Sequence, residues 1–170
     1  MTVVTDEVRS YVGLTSEPQQ ACDPVERGAV RRYIQAIMDD DPDYWSDGKR
    51  FGGPVAPPLF PTNMFRRDFG QPDPIQENAD NPDFDGLGAA AGKGLPPIKP
   101  LAHLALLNGG SELQFFRYAR HGETVSVRSR YASIEEKQTS KGSMVLVVIE
   151  EDYFAGADLL LRVRRTQIRR

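Results

Sequence analysis

The sequence is poor in the residues that staple or ligate. A single cysteine, Cys22, cannot close a disulfide within the chain, and two histidines, His103 and His121, are too few to lead one to expect a metal centre. Long apolar runs are missing as well. The longest, Met144 to Ile149, has six residues, against the roughly 20 that span a bilayer as a helix. The first residues, MTVVTDEVRSYV, have neither the basic start nor the apolar core of a secretory signal. Neither charge dominates. The net charge is -3 and the isoelectric point about 5.4, where nucleic-acid binding wants a strong basic stripe. The expectation is a cytoplasmic, metal-free protein with no membrane and no nucleic-acid partner.

What is present fits one core. A chain of 170 residues is long enough for a single hydrophobic domain and too short for two comfortable ones. With 39% apolar and 26% charged residues, wholesale disorder is excluded. Charge is uneven, since residues 112–170 carry +3 and the first 111 carry -6. Proline is more uneven still: eleven of the 13 lie between Pro42 and Pro100, and none follows. Proline removes a backbone donor and is kept out of central strands, so residues 101–170 are free to form continuous sheet.

Helix signals come first along the chain. Asp23 as N-cap, Pro24 in the first turn and Glu26 closing a capping box predict a helix over 24–38. Its apolar stripe is Val25, Ala29, Tyr33, Ile34 and Ile37. The acidic run Asp39-Asp40-Asp41 stands at the wrong end of the helix dipole, either as a solvated helix end or for another reason. Leu59–Phe65 reads as a second short helix, and 69–100 as an irregular flap. Five strands are predicted next: 101–107, 112–118, 123–134, 144–154 and 159–168, joined by Gly-containing turns in a meander.

The strings VERGAVRRYIQAIMDDDPDYW, GGPVAPPLFPTNMF and LNGGSELQFFRYARHGETVSVRSRYASIEEKQTSKGSMVLVVIEEDYF resemble the MaoC-like (R)-specific hydratase/dehydratase family. More narrowly they are similar to its FAS1-like dehydratase subgroup. The match covers roughly 24–68 and 101–169. The resemblance implies an α+β hot-dog fold in which an antiparallel sheet of about five strands wraps a central helix, here the stretch 52–65. It also implies reversible hydration of a 2-enoyl thioester, with coenzyme A or a carrier protein bearing the acyl group and no other cofactor. A carboxylate and an imidazole activate the water in such enzymes, and a backbone N–H stabilises the thioester oxygen.

Two departures stand out. The family loop Gly-Asp-x-Asn-Pro-aliphatic-His, anchored on Pro42, puts Asp39 and Asp41 in the acidic and amide positions but Tyr44 in the place of histidine. A phenol with an ordinary pKa of about 10 is a poor proton shuttle near neutrality. Where the family writes Pro-Ile-Ala-His-Gly, this chain has Pro54-Val55-Ala56-Pro57-Pro58, and Pro58 has no N–H to give. Losing an oxyanion donor costs about a hundred- to a thousand-fold in rate, so the isolated chain is expected to be a weak hydratase.

The candidate catalytic residues are therefore Asp39, Asp41 and Tyr44, with His103 as an outside candidate that reads more simply as a core histidine of an apolar strand. Tyr44, Trp45, Pro58, Leu59, Phe60 and Met64 are candidates for lining an acyl pocket, or for plugging the core. Arg66, Arg67 and Arg164 are candidates for a coenzyme A phosphate; Arg162, Arg164, Arg165, Arg169 and Arg170 also read as edge-strand charge. His121 and Cys22 read as turn and pre-helix residues. The family resemblance implies a hetero-oligomer in which a second hot dog supplies the Asp/His pair, or otherwise a homodimer. A self-sufficient hydratase or thioesterase and a non-catalytic acyl-CoA binding domain are the alternatives.

Overall fold

The structure, a computed structural model, describes residues 2–46, 50–65, 67, 70–84, 93–140 and 142–170. Its frame is a five-stranded antiparallel sheet of β1 (Gln19–Gln20), β2 (Leu106–Phe115), β3 (Val125–Thr139), β4 (Gly142–Ala155) and β5 (Asp158–Arg169). The order across the sheet is β1-β3-β4-β5-β2. Strict alternation explains the strands. Val125, Val127, Ser129 and Tyr131 point inward from β3, while Arg128 and Arg130 point out. A register shift between Tyr131 and Ser133 then lets Ile134 return to the core.

The inner face is best followed across the strands. One row runs Val127–Tyr153–Leu161–Phe115, and the next Ser129–Glu151–Val163–Leu113. The outer face is a ladder of alternating charge, Arg130–Glu150–Arg164–Glu112 beside Arg128–Asp152–Arg162–Gln114. Arg130, Arg162 and Arg164 come within 2.7, 3.6 and 3.5 Å of the Glu150 carboxylate, which they bury.

Two apolar clusters cover the inner face. Helix α2 (Arg27–Ile37), following a short α1 (Asp6–Arg9), sets Val30 and Ile34 against Val125, Val127, Tyr153 and Leu161, with Tyr44, Val55 and Phe60. The other cluster joins Val4 and Val8 to Leu95, Leu101, Tyr131, Val145, Val147 and Ile149. The strap 93–101 is fastened over it: the Tyr131 hydroxyl donates to the Pro96 carbonyl at 2.9 Å. Between the clusters lies a buried polar knot. The Glu151 carboxylate accepts from Arg165 at 2.7 Å and from the Tyr153 hydroxyl at 2.9 Å, and Lys93 Nζ donates to that hydroxyl at 3.0 Å. Burial holds the Lys93 ammonium below its usual range and pushes the Tyr153 phenol up.

Four expectations change. Helix α2 begins at Arg27, with Glu26 as N-cap and no side-chain capping bond, so Asp23 and Pro24 lie before it. Residues 59–65 form only a turn of 3-10 helix, Phe60–Asn63, because Pro57, Pro58 and Pro61 withhold the donors that a longer helix needs; α2 is the helix on the sheet. The two strands predicted at 101–107 and 112–118 are one, β2, with a bulge between Asn108 and Ser111, and β2 lies beside β5 rather than β3, so the sheet is not a simple meander. The arginines of β5 consequently sit on an interior strand, and β2 is the edge. Within the flap, a short α3 spans Pro74–Glu77. No helix among the described residues is long and apolar enough to cross a membrane.

Candidate functional site

The acidic run is folded on itself. Met38 caps α2 in the left-handed conformation, φ 55°, and turns the chain back so that Asp39 N–H donates to the Ile34 carbonyl. Asp39 Oδ1 accepts from the Asp41 amide at 3.2 Å, and Asp41 Oδ1 from the Asp43 amide at 3.0 Å, which caps the 3-10 turn Pro42–Tyr44. The Tyr44 hydroxyl then donates to Asp39 Oδ2 at 3.3 Å. Asp39, Asp41 and Tyr44 are thus brought together. Burial first, then Asp39, pushes the Tyr44 phenol up to about 12, so at neutral pH it holds its proton.

The next segment carries Pro58. Val55 N–H donates to the Asp43 carbonyl at 3.0 Å and Ala56 N–H to the Ala119 carbonyl at 2.8 Å. The half-buried His121 side chain bonds the Val55 carbonyl, and its Nε2 is buried without a partner among the described residues. Pro58 is held by these contacts at the wall of a cleft of about 750 Å³. Arg50, Phe51 and Val55 form one side of the lining, and the stretch Phe115 to Tyr118 with Arg120 forms the other. The Phe51 and Tyr118 rings meet at 4.8 Å, and the Arg50 guanidinium lies 4.9 Å over Phe51.

Arg117 is locked in that wall. Its guanidinium grips both Glu123 oxygens at 2.9 and 3.0 Å, Asp158 at 2.9 Å and the Tyr118 carbonyl at 2.9 Å. Glu123 stands in the turn that the family writes Gly-Asp. Burial opposes the charge on Glu123, but its bond to Arg117 prevails and holds the carboxyl below its ordinary value.

The remaining candidates disperse. Phe60 and Met64 line a second depression of about 580 Å³ beside α2. Tyr44 and Trp45 line a third of about 480 Å³ with Arg27 and Arg31, and Leu59 is 38% exposed and lines none of these three. His103 is not in a strand: it is an exposed turn residue after the 3-10 turn Lys99–Leu101, flanked by residues of the second cluster, whereas Tyr44 belongs to the first. Arg67 is paired with Asp73 at 3.1 Å, Arg164 faces Glu150 on the outer face, and Arg66 lies outside the described residues. Cys22 is exposed. The residues missed from the sequence are Arg50, Phe51, Tyr118 and Arg120. The strings RF and FFRYAR, in which cations alternate with rings, were the available signal.

The model of the FAS1-like dehydratase domain region matches residues 10–159. The chain belongs to the FAS1-like dehydratase family. Its fold is that of hot-dog proteins. A chain of the ChsH1-ChsH2 complex from Mycobacterium tuberculosis is similar to this family member with a TM-score of 0.71 and 22% identity, over 98% of this chain and 88% of that one. A chain of the HadBC (3R-hydroxyacyl-ACP dehydratase) complex from the same organism is similar at 0.56 and 14%, over 93% and 96%. The MaoC-like dehydratase from Rhodospirillum rubrum is similar at 0.56 and 15%, over 91% and 92%. No curated protein matches the sequence.

Proposed function

We propose that this chain is the acyl-thioester-binding half of a two-part hydratase or dehydratase, with a second hot-dog subunit supplying the aspartate and histidine that act on water. The observation that carries the reading is the fate of the inner rows. Phe115 and Leu113 end them 49% and 41% exposed, beside Leu161 and Val163 at 0% and 6%. Phe115, with Phe116 just beyond the strand, lines the cleft that holds Pro58, and β2 is an edge strand whose outer side no other described strand pairs. A partner sheet laid along β2 covers them and walls the cleft. Two of the structural neighbours carry the names of two-subunit complexes, which supports the same arrangement.

The chemistry of the chain agrees with a supporting role. A phenol titrating near 12 and an imino acid at the oxyanion position leave water activation and enolate stabilisation to another subunit. Asp39 and Asp41, spent on local hydrogen bonds, fix the loop that holds Tyr44. A cytoplasmic setting suits a chain with one cysteine.

The test is hydration of crotonyl-CoA and of longer enoyl-CoA esters by the purified chain, alone and mixed with a hot-dog protein that carries the full Gly-Asp-x-Asn-Pro-x-His string. The expected result is weak activity alone and strong activity in a stable mixed complex. Strong activity of the lone chain overturns the reading in favour of a self-sufficient enzyme. Acyl-CoA binding without turnover in any mixture makes the chain a binding domain.

A further inference from the structure

Three guanidiniums face the cleft beside Pro58, and they are not equivalent. Arg117 is saturated, because Glu123 and Asp158 both turn to it. Arg50 is stacked on Phe51 and reaches Asp43 only at 3.5 Å, with 69% of its side chain exposed. Arg120 gives its backbone N–H to Glu123 Oε2 at 2.8 Å, and its side chain makes no ion pair among the described residues. Each acid near this wall is thus bonded by another arginine or by a backbone amide; the Arg120 charge is felt by Glu123, but among the described residues no acid bonds its guanidinium, which leaves the fork for an anion. Beside it the Phe51–Tyr118 pair and the plane of Arg50 offer flat surfaces to an aromatic ring.

We propose that this wall takes the phosphorylated nucleotide end of the thioester, with Arg120 on phosphate and the Arg50–Phe51–Tyr118 group against the base. Guanidinium forks match phosphate oxygens two at a time, and stacking on rings and guanidinium planes is indifferent to which base is present. The inference rests on the acyl-thioester reading above and adds the carrier: the acyl group arrives on coenzyme A, not on the phosphopantetheine of a carrier protein, which has no nucleotide. It also moves the phosphate contact from Arg67 and Arg164, which are paired elsewhere, to Arg120.

Three probes separate the possibilities by titration calorimetry: adenosine 3′,5′-bisphosphate, crotonyl-CoA and S-crotonyl pantetheine, the last lacking every phosphate. The expected result is saturable binding of the first two, weakened about tenfold in Arg120→Ala and by less in Arg120→Lys, and weakened by added salt. Binding of the pantetheine ester, and all binding by the control Arg67→Ala, should stay unchanged. Thermal melts matching the parent chain establish that each variant is folded. The inference is overturned if the bisphosphate does not bind, if Arg120→Ala leaves its affinity unaltered, or if the pantetheine ester loses as much. Nucleotide binding that depends on Arg120, with neither ester held through its acyl end, keeps this inference and removes the acyl-thioester reading instead.

Discussion

Beneath α2 and the strap, the apolar inner side chains of three strands, from Val125 to Ile134, Val145 to Ala155 and Leu161 to Val163, are at most 8% exposed; one strand further on, in the same rows, the side chains stand half in water. Leu161 and Phe115 are direct neighbours in the β5–β2 register, both large and apolar, and their exposure is 0% and 49%. The difference is one of cover, not of sequence. Burial of a leucine or phenylalanine stabilises a protein by about 1.5–3 kcal/mol, so the covered strands hold the fold and β2 keeps its apolar surface for something else. The cleft beside Pro58 opens where the core of this protein runs out.

The largest test of that contrast is at the buried knot. Replacing Glu151 by alanine leaves Arg165, Lys93 and Tyr153 around a missing acceptor; because Arg165 and Lys93 keep 41% and 25% of their side chains exposed, the cost falls at the low end for a broken buried pair, about 3 kcal/mol, and the midpoint of urea unfolding should fall accordingly. Leu161→Ala should cost about 3 kcal/mol through lost burial and a cavity, read in the same way. A loss near zero in either variant would mean that the covered side is not what holds the fold.

A smaller effect is expected from pH. The folded-state pKa of Tyr44 lies above its unfolded value of 10.0, at about 12, so its contribution is complete below pH 10 and is lost as pH rises through 12. Thermal stability should fall over that window, and Tyr44→Phe should remove this part of the fall while costing about 1 kcal/mol at neutral pH. Smallest of all is Phe115→Ala, with under about 0.5 kcal/mol expected in the isolated chain. The same change should markedly weaken association with a catalytic hot-dog partner, measured by sedimentation. If it destabilises the lone chain as Leu161→Ala does, the two strands are alike and the contrast falls.

The covered side was the readable side. Alternation from Val125 to Tyr131 and the proline-free C-terminal stretch place β3, β4 and β5 directly, since period-two burial leaves its mark on every second residue. The α2 stripe was equally plain, although Pro24 drew its start three residues early. β2 was misread because Asn108-Gly109-Gly110 has the composition of a hairpin turn and forms a bulge; only the neighbouring strand settles which, with Gly109 pressed against Thr166. The loop Asp39–Tyr44 was legible because its residues are consecutive. The cleft was not, since Arg50, Phe51, Pro58 and Arg120 come from segments that meet only when β2 crosses to lie beside β5 and the chain returns to Ala119 and Arg120 against Val55.

The two borders of the sheet also differ in what they can accept. Along β3 from Tyr131 to Val125, residues 13–21 already occupy backbone groups, through Gly13, Leu14, Ser16 and Ala21, whereas no described strand pairs with the outer side of β2. A ribbon needs two adhesive margins to lengthen. Among the described residues the margins at this end are unequal: β2 presents ten residues, Leu106–Phe115, and β1 only two, Gln19–Gln20, so edge-to-edge pairing is favoured on the phenylalanine side and poorly supported on the other.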